Sequence, residues 1–201
     1  IERDTVFDNT NTYNSGGIRL NYGSVTEEIE GLKYGILLEV GFDTVTPNNP
    51  MTINSWAYDK AVNTKGIEII DNRAIDVQCY SPGYTLVEKL QTITRKFRQE
   101  EEGGEERQNL MRQYYDIYCL LENPDVKKFI GTDEYKAHKA ERFRGKDTEI
   151  AIKDNEAFLL SDKSKREQFI KRYKKTSALY YNGQPEFEEI LQRIHANIDI
   201  L

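Results

Sequence analysis

The chain changes its hydrophobic period once, at Pro82, and that switch constrains the fold more than any other feature. Before it come short runs rich in β-branched residues, Gly, Asn and Thr: GIRLNYG (17–23), YGILLEVGFDT (34–44), MTINSWAY (51–58) and AIDVQCYS (74–81). Runs of this kind, bounded by turn residues, predict strands, and TPNNP (46–50) predicts a loop. After Pro82 apolar residues recur every three or four positions, the period of a helix. Leu86, Leu90, Ile93 and Phe97 form the face of a first helix beginning just after SPGY. Leu110, Tyr114, Ile117 and Leu121 form that of a second, which stops before Asn123-Pro124. Helical patterns follow at 125–143 and 162–182, and a last one from Pro185 carries Phe187, Ile190, Leu191, Ile194 and Ile198. The expectation is an α+β fold, with a strand-rich part at 1–81 packed on a helical part at 82–201.

Composition removes several classes of function. Thirteen tyrosines and eight phenylalanines argue against disorder. A net charge of −6 argues against a sequence-blind DNA coat and leaves a local basic face open. No window has the length of apolar residues that a membrane span needs, and the start does not resemble a signal peptide, so a cytoplasmic protein without membrane contact is expected. With two histidines and two cysteines a His/Cys zinc site is not expected, whereas a carboxylate site for a hard cation stays open. Cys79 and Cys119 are expected to be reduced core thiols.

Three places stand out as chemistry. In YGILLEVGFD the residues Tyr34, Ile36, Leu38, Val40 and Phe42 should face the core, leaving Glu39 and Asp43 on a small-residue face with Gly35 and Gly41. Glycines beside a carboxylate give a ligand room to reach the backbone; an ordinary solvent face is the alternative. In YSPGYTLVEKL, Lys89 lies roughly 40–60° from the apolar stripe. It either snorkels to water or points its ammonium along the seam towards a phosphate. In RQYYDIYCLL, Asp116 sits in a nearly all-apolar helix. Either it pairs with Arg112 one turn earlier, or it is a working carboxylate. The basic runs at 163–175 and 136–146 read as solvated faces or as a surface for RNA phosphates, His138 and His195 read as incidental, and EEEGGEERQ (100–108) reads as an acidic linker.

The order LLEVGF, YSPGYTLVEKL, RQYYDIYCLL and finally ALYYNGQPEFEEILQRI resembles the nucleotidyltransferase toxins of the AbiEii/AbiGii type, from about residue 34 onward. That resemblance implies a polymerase-β-like nucleotidyltransferase domain and transfer of a nucleoside monophosphate from an NTP to an RNA acceptor such as tRNA. It further implies Mg²⁺, a cognate antitoxin, and a role in phage defence. Carried over residue by residue, Glu39 matches a strand carboxylate that binds metal or helps activate the acceptor. Lys89 matches the lysine that contacts NTP phosphates, and Asp116 matches the aspartate of the final motif, with Arg112 beside it. Two departures are visible. Gln113 stands where the family has an acid, and residues 1–33 lack the Asp-x-Asp pair that follows the family's glycine-rich turn, since NSGGIRLNYGS has the glycines alone. The expectation is that this first motif lies upstream of Ile1 and that the chain alone is inactive. The alternative is a non-catalytic module of the same fold that binds RNA or protein; a purely structural scaffold is a third reading.

Overall fold

The computed structural model describes residues 1–8, 11, 14–25, 27, 34–107, 109–180 and 183–201. Strands β1 (Glu2–Arg3), β2 (Ser15–Leu20) and β3 (Ile36–Gly41) form one antiparallel sheet in the order β1-β2-β3. Strands β4 (Asn48–Ile53) and β5 (Ala74–Tyr80) form a second, two-stranded antiparallel sheet. Between these two strands lies helix α1 (Trp56–Val62). The architecture is α+β, and every strand pairing among the described residues is antiparallel.

Two sequence expectations need correction at β4. Asn48, Asn49 and Pro50 pair with Tyr80, Cys79 and Gln78, so the second half of TPNNP is strand rather than loop. MTINSWAY is not one strand either, because the Ser55 side chain accepts from the Tyr58 amide and starts α1 at Trp56. An N-cap serine satisfies an amide that the first turn would otherwise leave unpaired, and here it outweighs the strand preference of the aromatic residues behind it.

Pro82 opens helix α2 (Pro82–Glu101), one turn earlier than the sequence suggested; proline suits this position because its missing amide would be unpaired anyway. Gly83 is needed there, since a β-carbon on it would come within 2.5 Å of the Phe129 ring. Helices α3 (Leu110–Leu120), α4 (Pro124–Phe129), α5 (Asp133–Arg142), α6 (Glu156–Leu159), α7 (Lys163–Lys174) and α8 (Phe187–Asn197) complete the chain. The pattern expected over 125–143 is broken at Gly131–Thr132, where Thr132 caps α5 through the Tyr135 amide. In the pattern expected over 162–182, α7 ends at Lys174, and Tyr181 and Asn182 lie outside the described residues.

The apolar stripes read from the helical period are buried, except that Ile198 at the end of the last one is only half-buried. Leu86, Leu90 and Ile93 of α2 meet Leu110, Tyr114 and Ile117 of α3 and Ile190, Leu191 and Ile194 of α8 in one core. α2 is its axle, in contact with α3, α4, α5 and α6.

The strand-rich part contributes nothing to this core. Among the described residues no large apolar side chain before Leu86 is buried. Ile36, Leu38, Val40 and Phe42, expected to face inward, are 57%, 51%, 58% and 85% exposed, and Tyr34 is exposed as well. Alternation did put Ile36, Leu38 and Val40 on one side of β3, but the extensive contacts of this strand among the described residues are with β2, and that side stays largely exposed. The cysteines are free, as expected, but Cys119 is exposed rather than in the core, and Cys79 is half-buried. None of the described helices is long and apolar enough to cross a membrane.

Candidate functional site

α2 and α3 are joined by a short connection and pack along each other, so the edges of their apolar stripes meet at a seam. Lys89 lies at the edge of the α2 stripe, and Asp116 on the polar strip of α3 that it shares with Arg112. Across the seam Lys89 Nζ stands 2.8 Å from Asp116 Oδ2, with the side chains 27% and 39% exposed. Two of the residues singled out in the sequence, 27 positions apart, thus converge on one spot. The local Arg112–Asp116 pair does not form; Arg112 is exposed and pairs with no carboxylate among the described residues. The ion pair explains why a carboxylate is tolerated in so apolar a helix, and its half-open position keeps both charges within reach of a ligand.

The tail motif reaches the same seam. Tyr180 packs its ring 4.4 Å from that of Tyr115 on α3. Burial raises the Tyr180 phenol above its usual range; the hydroxyl of Thr176 and the charge of Arg112 pull it down, and Asp116 pushes it up. Tyr180 therefore stands within the field of both charged residues of α3, a neighbour the sequence reading did not assign.

Glu39 is placed elsewhere. It lies exposed on β3, in register with Gly17, and its side chain makes no ion pair with Lys89, Asp116 or Arg112. Gly35 serves the backbone rather than a ligand: its φ is +81°, and a β-carbon there would meet the Leu20 carbonyl at 2.7 Å. Among the described residues no three His, Cys, Asp or Glu side chains gather as a metal site requires. Glu39 and a lysine-bound Asp116 do not by themselves make a complete Mg²⁺ site.

A second polar constellation lies one residue from Lys89. His138 Nε2 is 3.0 Å from Glu88 Oε1 and 3.2 Å from the Tyr80 hydroxyl. The other Glu88 oxygen takes Arg142 at 2.7 Å, and Arg142 lies 3.8 Å from Asp43 behind β3. Burial, then the charge of Glu88, pushes the Tyr80 phenol up to about 12. The group ties β5, α2 and α5 together and fixes the rotation of α2 that presents Lys89. His138 is thus no incidental residue. His195 also has a partner, the Phe158 carbonyl at 2.9 Å.

The basic runs are used mainly inside the fold. In 163–175, Lys165, Arg166, Arg172 and Lys174 pair with Glu101, Glu188, Glu100 and Glu186. In 136–146, Lys136, Arg142 and Lys146 pair with Asp133, Glu88 and Glu102. These two runs are therefore chiefly structural. The acidic stretch from Glu100 is likewise more than a linker, since Glu100, Glu101 and Glu102 all hold cations.

Comparison with known proteins adds three findings. A curated relative, flap endonuclease 1 of Drosophila mojavensis, is 24% identical over 119 residues, which is 59% of this chain and 28% of that protein. The chain thus spans little more than a quarter of the length of that relative. No solved structure matches. The sequence model of the nucleotidyl transferase AbiEii toxin family, type IV toxin–antitoxin system, matches residues 1–193, and so takes in the first 33 residues that the motif resemblance did not reach. With nearly its whole length matched, the chain belongs to the AbiEii nucleotidyl transferase toxin family.

Proposed function

We propose that this protein acts as a toxin-type nucleotidyltransferase, taking a nucleoside monophosphate from an NTP and placing it on an RNA acceptor such as tRNA. It would do so in the cytoplasm, under a cognate antitoxin and in defence against phage. In that reaction an acceptor hydroxyl oxygen bonds to the α-phosphorus, the bond to the β-phosphate oxygen breaks, pyrophosphate leaves, and the hydroxyl proton passes to solvent or a base. The observation that supports this reading best is the 2.8 Å contact of Lys89 with Asp116 at a half-open seam, with the exposed Arg112 one turn away on α3. Transfer of this kind is catalysed by positioning and charge neutralisation more than by covalent chemistry. Asp116 holds the Lys89 ammonium in place when no ligand is present. An arriving triphosphate offers that ammonium a stronger anionic partner, and Arg112 adds a second cation. The Mg²⁺ that the family resemblance implies belongs to this proposal as an assay component, because the described residues do not gather its ligands.

The same lack of a gathered metal site favours a second reading, a module that binds RNA or a protein partner without catalysis. Incorporation of labelled NTP into tRNA, measured with Mg²⁺ present, separates the two. The expected result is transfer by the unaltered protein and a loss of roughly 10²-fold in Lys89→Ala and in Asp116→Ala. Stability should change by no more than about 1 kcal/mol, since the pair is half-exposed. Transfer that survives both substitutions would remove these residues from the site. Binding of tRNA without any transfer would favour the module.

A further inference from the structure

Seven residues after Lys89, on the same face of α2, stands Lys96. Two helical turns put it roughly 10 Å further along the seam. Lys96 is half-buried, and every other half-buried lysine or arginine among the described residues reaches a carboxylate or carbonyl oxygen. Lys96 reaches neither. The charges that bear on it most are Arg95, Lys89 and Arg107, all of its own sign. Glu100, one turn on, is the acid in range, but Arg172 occupies both its oxygens at 2.8 Å each and the Arg107 amide takes one of them again at 2.6 Å. Burial first, and then these neighbouring cations, lower the Lys96 pKa.

A sheltered cation surrounded by cations is unfavourable unless an anion from outside completes it. Since the fold pairs its other sheltered cations, this opening in the pattern marks a place for a ligand. We propose that Lys96, with Arg95 and Arg107, binds a backbone phosphate of the acceptor strand while Lys89 takes the phosphates of the nucleotide. This assignment rests on the reading of Lys89 given above. The separation is roughly 10 Å along the helix, and Arg95 and Arg107 bear on Lys96 whereas Asp116 holds Lys89, so the outer lysine is assigned to the other substrate. A polynucleotide strand presents the regularly repeated phosphates that a line of cations along a helix can follow.

The test uses binding rather than turnover. Anisotropy of a labelled single-stranded RNA oligomer is measured with the intact protein over a series of KCl concentrations, and ATP binding is measured separately by calorimetry. Lys96→Gln is expected to weaken RNA binding by about three- to tenfold and to flatten the slope of log K against log salt by about 0.7, the value for one lost phosphate contact on a single strand. Lys96→Arg should behave as the unaltered protein does, and ATP affinity should be unchanged in both. Unchanged RNA affinity and slope in Lys96→Gln would overturn the assignment. So would an unaltered protein that binds no RNA, or a loss confined to ATP. Lys89→Ala is expected to do the reverse, losing ATP and keeping the RNA slope; if it leaves ATP affinity intact, the nucleotide role of Lys89 fails while the RNA result for Lys96 still stands.

Discussion

Replacing Arg172 by leucine is expected to lower the stability of the fold by about 3–5 kcal/mol, the range seen when one partner of a buried ion pair is removed. The guanidinium of α7 lies 2.8 Å from each oxygen of Glu100 at the end of α2, with the two side chains only 13% and 9% exposed. It also stacks 4.9 Å over the Phe169 ring. Burial pushes the Glu100 carboxyl up, but hydrogen bonds from Arg172 and from the Arg107 amide outweigh it and hold the group below the usual carboxylate range. In the unaltered protein this carboxylate therefore contributes stability above about pH 4.5 that is lost as the pH falls through the lower folded value. Without Arg172 the sign reverses. Burial then dominates, the folded pKa rises above the unfolded one, and the penalty present at pH 7 is relieved by protonation on acidification. Urea unfolding at pH 7 and at pH 4.5 should show the difference between variant and parent shrinking as the pH falls. A constant difference would mean that Glu100 is not left charged and sheltered. The double variant Arg172→Leu with Glu100→Leu should recover most of the loss, since it leaves no unpaired charge.

Leu90→Ala is expected to cost about 2–5 kcal/mol, because Leu90 is completely buried in the middle of α2 and its loss leaves a cavity that packed neighbours cannot fill. For a chain of this size each kcal/mol shifts Tm by about 2–4 °C, so a thermal melt should fall by roughly 5–15 °C. Leu38→Ala is the matched control. Leu38 belongs to an equally apolar run, yet it is 51% exposed, and its substitution should move stability by no more than about 0.5 kcal/mol. Equal shifts in the two variants would show that the β2–β3 face is covered in solution.

These two leucines also show how far the sequence could be read. A period of 3.6 over four turns identifies the face that Leu86, Leu90, Ile93 and Phe97 share, and a helix with such a stripe must bury it, so the core was legible. Alternation in β3 identifies only which residues share a side. Whether anything packs on Ile36, Leu38 and Val40 depends on the arrangement of other elements, which a six-residue run does not encode. The site divides in the same way. Asp116 was recognisable as a costly carboxylate, but the partner suggested by spacing was Arg112 on its own helix. The contact made is with Lys89 on another, because the offset between two helices is set by their packed stripes and not by either sequence alone. His138 read as incidental for that reason too: Tyr80 and Glu88 are visible in the sequence, while the packing that places an imidazole against them is not. Lys96 was plain in the sequence and meaningless there, since only the fold shows that the acid one turn away is already taken.

The position of α2 has a consequence for how the molecule opens. Because this helix touches four others, its central amides, from Leu86 to Phe97, can meet solvent deuterium only when the whole helical assembly comes apart. Their exchange should therefore report the global unfolding free energy. The amides paired between β2 and β3 depend on a single ladder with little apolar cover, and they should exchange through a local opening of far lower energy. A deuterium-uptake experiment should thus see two populations in one chain, with their border near Pro82.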